Sequence, residues 1–219
     1  MIIWKEIDTV LLDMDGTLLD LHFDNYFWHE YLPLKWGQKN DMDIKAAREA
    51  LMPGFYEWAG TLAWYCLDHW SDHLDMDILT LKQDLGHLIK ERPAALDFLQ
   101  YLSDTGKQKV LVTNAHEGLI DMKFRCTAIG DHFEHVYCSH QFGFPKEDVQ
   151  FWEALQEAFS FDPSRTLLVD DNISVLHSAQ KYGIAHLLSI AQPDMMKPPR
   201  PESDFPAVDS FLDLMVRGE

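Results

Sequence analysis

Val10-Leu11-Leu12-Asp13-Met14-Asp15-Gly16-Thr17-Leu18 is the stretch on which the fold reading turns. An apolar run of strand length ends abruptly in two carboxylates one residue apart, followed by a glycine and a threonine suited to a tight turn. Side chains alternate along an extended segment, so the spacing predicts Asp13 and Asp15 on one face beyond the strand end. Two acids so placed suit phosphoryl chemistry: one carboxylate attacks phosphorus, while the other protonates the leaving oxygen and then activates water. Taken alone, Asp-Met-Asp-Gly also reads as a surface turn, and the choice rests on the rest of the chain.

Four further apolar runs have strand length: Lys109–Thr113, His135–Cys138, Thr166–Asp170 and His186–Ile190. They are short and mostly lack apolar/polar alternation, the pattern of strands covered on both faces. Helical periodicity fills the gaps, over Pro93–Leu102 with Leu96, Leu99 and Leu102 on one stripe, and over 117–129, 147–160 and 172–182. Alternating strand and helix predicts an α/β fold, a Rossmann-like parallel sheet with helices on both faces and ligands at the carboxyl ends of its strands. From about Asp24 to Lys90 no strand pattern occurs, and Phe55, Trp58, Leu62, Cys66, His69 and His73 recur at helical spacing. This predicts an inserted α-helical cap subdomain over residues 21–90, with the core formed by 1–20 and 91–219. Gln192–Pro206 holds five prolines and is expected as an irregular wrap before a short final helix.

The chain of 219 residues, 47% hydrophobic, is long enough for one core and a subdomain. A formal net charge of -18 disfavours nucleic-acid polymers and anionic membranes as partners, because both attract basic surfaces. The three cysteines, Cys66, Cys126 and Cys138, are odd in number and widely spaced, and are expected to be reduced. No apolar run approaches a bilayer span, and the amino-terminal residues lack a signal-peptide pattern, so the expected compartment is the cytoplasm. His69 and His73, and the group His132, His135, Cys138 and His140, have loose ligand spacings for which structural roles are the expectation.

Every strand of the alternating part ends in residues suited to a phosphate site. Thr113 and Asn114 offer a hydroxyl and an amide, although a helix cap is the commoner use of such a pair. Gly143-Phe144-Pro145-Lys146 presents a point positive charge after a proline-stiffened turn, where a solvated lysine is the competing reading. Asp170-Asp171-Asn172 ends an apolar strand in acids that suit Mg2+, and Asp171 or Asn172 also suits a helix cap.

Asp13, Asp15, Thr113, Asn114, Lys146, Asp170 and Asp171, each at a strand end and in that order, resemble the four motifs of the haloacid dehalogenase-like phosphatase superfamily. The resemblance implies Asp13 as nucleophile and Asp15 as general acid/base, with Thr113 and Lys146 binding the transferring phosphoryl group. It implies Mg2+ held by Asp13, the main-chain carbonyl of Asp15, and Asp170, with Asp171 beside them. An acid at Asp15 argues against dehalogenation, which needs no protonated leaving alkoxide, and for phosphomonoester hydrolysis through an aspartyl-phosphate. Within the superfamily, the stretches Asp20–Trp28, Trp64–Ser71 and Val112–His116 resemble the bacterial GMP/IMP nucleotidases, which implies purine nucleoside 5′-monophosphates as the small phosphorylated substrate. His22, Phe23, Asn25, Tyr26, Arg48, Tyr56 and His116 are the residues expected to meet the base or ribose, whereas Trp58, Trp64 and Trp70 are expected in the core.

The competing functions are a sugar-phosphate or phosphoglycolate phosphatase, a β-phosphoglucomutase-like mutase, and a catalytically silent binding protein. A phosphonate hydrolase would need a Schiff-base lysine from Lys35, Lys39, Lys45 or Lys82. A monomer or small homo-oligomer is expected.

Overall fold

The run that ends in Asp13 lies at the centre of a parallel sheet. The protein is described by a computed structural model over residues 2–215. Its strands are β1 (Thr9–Leu12), β2 (Gln108–Thr113), β3 (Val136–Cys138), β4 (Thr166–Val169), β5 (His186–Ile190) and β6 (Ala207–Val208), in the spatial order β3-β2-β1-β4-β5-β6. All pairings are parallel, and Leu12 stands between Leu111 of β2 and Val169 of β4. From β1 the chain builds outward to β2 and β3, then returns to the other side for β4 and β5. The reversal makes β1 and β4 a topological switch point, where parallel sheets open a crevice at their carboxyl ends.

The apolar runs make strands because both of their faces are covered. Val10 and Leu12 pack into one apolar cluster, and Leu11 between them packs into a second on the opposite face. Helices α1 (His22–Tyr26), α2 (Leu32–Lys39), α3 (Ile44–Trp58), α4 (Leu62–Tyr65), α5 (Leu67–Leu74) and α6 (Ile78–Gln83) follow β1. Then come α7 (Ala95–Asp104), α8 (Glu117–Cys126), α9 (Ser139–Phe142), α10 (Val149–Ala158) and α11 (Ile173–Tyr182). Phe98 and Leu99 of α7 cover the Leu12 side, while Phe151 and Trp152 of α10 with Val175 and Leu176 of α11 cover the Leu11 side. Truncating a residue as enclosed as Leu12 to alanine costs about 2–5 kcal/mol.

Among the described residues no strand lies between β1 and β2 apart from isolated bridges, and the aromatic spacing there is explained by a shared core. The Trp70 ring is buried, with Phe55 at 5.5 Å and Trp28 at 5.2 Å between ring centroids, and its indole N–H donates to the Trp64 carbonyl at 2.8 Å. Asp43, Thr61 and Asp77 begin α3, α4 and α6 by accepting backbone N–H bonds, the ordinary N-cap device.

The proline-rich stretch wraps as expected, and it does so across both passages between the helical segment and the sheet. Leu21 donates its N–H to the Pro193 carbonyl at 3.0 Å, Met195 donates to Asp20 Oδ1 at 3.0 Å, and Asp20 donates to the Lys90 carbonyl at 2.9 Å. Two features there differ from the sequence reading. The stretch is followed by β6, whose two residues are too few for a periodic signal, and the closing turn Phe211–Leu214 is a 3-10 helix. Among the described residues no helix is long and apolar enough to cross a membrane.

Candidate active site

β1 stops at Leu12, so the two acids do not come together by strand alternation. Asp13 still donates its N–H to the Val169 carbonyl at 3.0 Å, and the chain then folds back as Leu18 and Leu19 both donate to the Met14 carbonyl. Gly16 makes this turn with φ +87°, and a Cβ there would meet the Asp171 carboxylate at 2.6 Å. No other residue fits that position without displacing Asp171. The turn delivers Asp13 and Asp15 to one cavity of about 600 Å3, which Thr113, Asn114, Lys146, Asp170 and Asp171 also line. All seven residues of the four motifs are therefore gathered at the carboxyl ends of the strands.

Lys146 organises the floor. Its Nζ, almost fully buried, donates to Asp13 Oδ1 and Asp170 Oδ2, each at 2.6 Å, and to the Val112 carbonyl at 3.1 Å. The pairing holds the ammonium well above the usual lysine range against the cost of burial. Burial pushes Asp13 up to about 6, offset in part by Lys146 and reinforced by Asp170. Asp171 is also raised, by burial and then by Asp13 and Asp170.

Asn114 is more occupied than a free phosphate donor. Its Oδ1 accepts the Lys146 N–H at 2.9 Å, and its Nδ2 donates to Glu147 Oε2 at 2.9 Å. Glu147 also accepts from the Tyr65 hydroxyl at 2.6 Å and from Asn172 Nδ2 at 3.0 Å, tying the ends of β2 and β4 to the helical segment. Thr113 Oγ1 accepts the Ala115 N–H at 3.0 Å. Between the two capping readings for the end of β4 the structure chooses Asn172, whose Oδ1 accepts from Ser174 N at 2.9 Å and starts α11. Asp171 instead pairs with Arg200, whose guanidinium donates to Asp171 Oδ2 at 3.0 Å.

Asp15 has a lysine of its own. Lys123 of α8, almost fully buried, donates to Asp15 Oδ1 at 2.6 Å and to Asp24 Oδ2 at 2.8 Å. Asp24 Oδ1 accepts from Lys82 of α6 at 2.7 Å. The Lys82 ammonium lies 4.4 Å from the Phe27 ring centroid and 5.0 Å from that of Phe23, within cation–π range. Burial raises Asp15 to about 6 although Lys123 opposes it. Burial opposes ionisation of Asp24 as well, yet Lys123 and Lys82 together hold its carboxyl well below the usual range.

None of the seven residues expected to meet the base lines the cavity. Phe23 is buried beneath the two lysines, and Asn25 Nδ2 donates to Asp194 Oδ2 at 2.7 Å, with His22 Nδ1 3.6 Å from the same carboxylate. Arg48 donates to the His29 carbonyl at 3.0 Å, Tyr26 and Tyr56 are exposed, and His116 begins α8 by accepting the Gly118 N–H at 3.3 Å. The aromatic wall is made instead by Trp28 and Trp64, stacked at 5.4 Å, together with Tyr65. Trp64 was expected in the core; it is only half-buried and reaches the cavity, while Trp70 and Phe55 occupy the core.

The sequence does not single out Asp24, Lys123, Glu147 or Arg200, and it offers Lys82 only as a possible Schiff-base lysine. Two of them carried a signal. Lys123 follows Leu119 by four residues and Lys82 follows Ile78 by four, so each stands in the register of its helix's buried stripe.

The model of the haloacid dehalogenase-like hydrolases matches residues 7–183. The GMP/IMP nucleotidase YrfG of Escherichia coli is 42% identical over 193 residues, covering 88% of this chain and 87% of that protein. Pyrophosphatase PpaX of Bacillus velezensis is 25% identical, over 88% of this chain and 92% of its own. Among solved structures, the HAD phosphatase of Thermococcus onnurineus superposes with a TM-score of 0.77 at 20% identity, covering 95% and 96% of the two chains, and shares the fold. With the sheet order, the gathered acids and these matches together, the chain belongs to the haloacid dehalogenase-like hydrolases.

Proposed function

We propose that this hydrolase is a Mg2+-dependent phosphomonoesterase that acts on purine nucleoside 5′-monophosphates through an aspartyl-phosphate on Asp13. The observation that carries the reading is Lys146 bridging Asp13 and Asp170 at 2.6 Å, at the foot of a cavity whose upper wall is Trp28, Trp64 and Tyr65. A charged floor suits a phosphoryl group, and flat aromatic rings suit a base. The nucleotide assignment draws further support from the 42% identical relative.

The donors present fit a hard divalent cation. Carboxylate oxygens of Asp13, Asp170 and Asp171 lie within 4.8 Å of one another, and Asp13 Oδ2 is buried with no hydrogen bond from the protein. Asp13, Asp170 and the Asp15 carbonyl would hold Mg2+, with Asp171 as a further oxygen donor. When bound, the ion supplies neutralisation of charge on the transferring group.

The side chains divide the remaining work. Asp13 attacks phosphorus, and the bond to the ribose oxygen breaks as Asp15 gives that oxygen its proton. Water then attacks the same phosphorus, Asp15 takes the water's proton, and the bond to Asp13 breaks to release phosphate. Lys146 neutralises charge around the nucleophile, and Thr113 offers a hydroxyl to the phosphoryl oxygens. Residues 21–90 act as a cap over this site, with Tyr65–Glu147 and Asp24–Lys123 as its ties to the core. Lys82, the phosphonatase-type lysine nearest the site, is already committed to Asp24.

Purified protein with Mg2+ is expected to release phosphate from GMP and IMP faster than from ribose 5-phosphate or phosphoglycolate. Turnover of the sugar phosphates alone would move the assignment to that class. Conversion of one sugar phosphate into another without net phosphate release would make the protein a mutase.

A further inference from the structure

A second group of metal-ligating side chains lies outside the aspartate site, at the seam between the helical segment and the sheet. Cys66 precedes α5, Asp68 opens its first turn, and His116 stands at the start of α8, two residues beyond Asn114. One ligand atom from each, a sulfur, a carboxylate oxygen and an imidazole nitrogen, lies within 4.8 Å of the other two. His116 Nε2 is 3.9 Å from Asp68 Oδ2, too far for a hydrogen bond and close enough for a shared ion. The His140 ring stands edge-on to His116 with centroids 5.0 Å apart, and its Nε2 is buried with no hydrogen-bond partner. A buried imidazole nitrogen without a partner beside three convergent donors is an unusual expense of polar groups for a purely structural seam.

We propose that Cys66, Asp68 and His116 form a site for a borderline-soft divalent cation, Zn2+ by donor type, that bridges the helical segment to the core. The sulfur and imidazole donors separate it in kind from the all-oxygen aspartate site. Bonds of about 2.0–2.3 Å in a tetrahedral site bring donors to about 3.5 Å apart. Asp68, whose side chain is 84% exposed, supplies the movement. Binding releases the thiol proton of Cys66 to solvent and shifts the ring proton of His116 to Nδ1, which gives up its contact with the Gly118 N–H. A fourth donor would come from His140, whose ring stands edge-on to His116, or from water.

Such a site is reversible, because it has three protein donors, one of them exposed, and a tautomer change to make. Its consequence is mechanical. Tyr65 and Leu67, on either side of Cys66, line the substrate cavity, so an ion at this seam fastens that wall to the end of β2.

Co2+ added to the full-length reduced protein tests the site without reference to activity, because a thiolate ligand gives a cobalt charge-transfer band that carboxylates cannot. The proposal expects one equivalent of Co2+ to raise that band, Zn2+ to displace it, and Cys66→Ser to abolish it. Asp68→Asn, on an exposed side chain, is expected to weaken Co2+ binding by at least about tenfold while leaving the fold unchanged. Cys126→Ser and Cys138→Ser are expected to keep the band. No band with the wild-type protein, or a band that survives Cys66→Ser, overturns the proposal. Neither result bears on whether the aspartate site hydrolyses phosphoesters.

Discussion

Asp13 and Asp15 are separated by the single residue Met14, and each accepts a hydrogen bond from a buried lysine at 2.6 Å, yet the two lysines are embedded differently. Lys146 is held entirely by the core: its other partners are Asp170 at the end of β4 and the carbonyl of Val112 in β2. Lys123 is shared with Asp24, which belongs to the helical segment and is held in turn by Lys82. The first carboxylate is therefore positioned by the sheet alone. The second is positioned by a core lysine that also holds the helical segment through Asp24. In the proposed reaction this matches what each acid must do, since a nucleophile needs a fixed place and an acid/base needs to be engaged when substrate is enclosed.

Lys146→Met attacks the fixed side and carries the largest effect expected. It leaves Asp13 and Asp170 facing each other without a cation, so stability should fall by about 3–5 kcal/mol in urea titrations. Phosphate release should fall by at least about a hundred- to a thousand-fold. An active, stable Lys146→Met protein would dissolve the contrast.

Lys123→Met probes the shared side through the leaving group. Hydrolysis of a nucleoside monophosphate, whose alkoxide must be protonated, should fall by about ten- to a hundred-fold. p-Nitrophenyl phosphate, whose phenolate leaves without help, should lose much less. Equal losses on both substrates would assign Lys123 to folding and not to the placement of Asp15.

Trp64→Ala addresses the aromatic wall and should act on KM. Loss of one base-stacking surface is worth about 1–3 kcal/mol, so KM for GMP should rise by roughly tenfold or more while kcat and the turnover of ribose 5-phosphate change little. A matching rise for ribose 5-phosphate would place the tryptophan in cap architecture instead.

The smallest effect concerns acid. The Asp24 carboxyl is held below its ordinary range, so the stability it contributes is fully present above the unfolded value of about 3.9 and is lost as pH falls through the lower folded value. The stability gap between wild type and Asp24→Asn should therefore persist from about pH 8 to 5 and narrow only in stronger acid. A gap that closes near neutrality would show that Lys82 and Lys123 do not hold Asp24 ionised.

The sequence disclosed the sheet-held half of this contrast far better than the other. Asp13, Thr113 and Asp170 end apolar runs, where a polar residue calls for an explanation, and Lys146 follows a proline-stiffened turn. Lys123 and Lys82 sit inside helices rich in polar residues, where a lysine normally means solvent, and only their register with Leu119 and Ile78 distinguishes them. Arg200 comes from the proline-rich stretch, which has no periodicity to place it near Asp171. Of the seven residues expected around the base, Phe23, Asn25 and Tyr26 follow the catalytic turn closely in sequence. The chain turns into α1 immediately after it, which directs Phe23 into the core and Asn25 toward Asp194. The aromatic wall comes instead from Trp28 and from Trp64, far along the chain, brought together by the packing of Phe55 and Trp70 behind them.

In the proposed reaction Asp13 is the nucleophile of a nucleotide phosphomonoesterase. Phosphate release from GMP with Mg2+, measured side by side for the wild-type protein and Asp13→Asn, tests it most directly, with circular dichroism confirming that both are folded. The expected result is sustained release by the wild type and none above the uncatalysed background for Asp13→Asn. Release by a folded Asp13→Asn protein near the wild-type rate, or no release from GMP by the wild type, would contradict it.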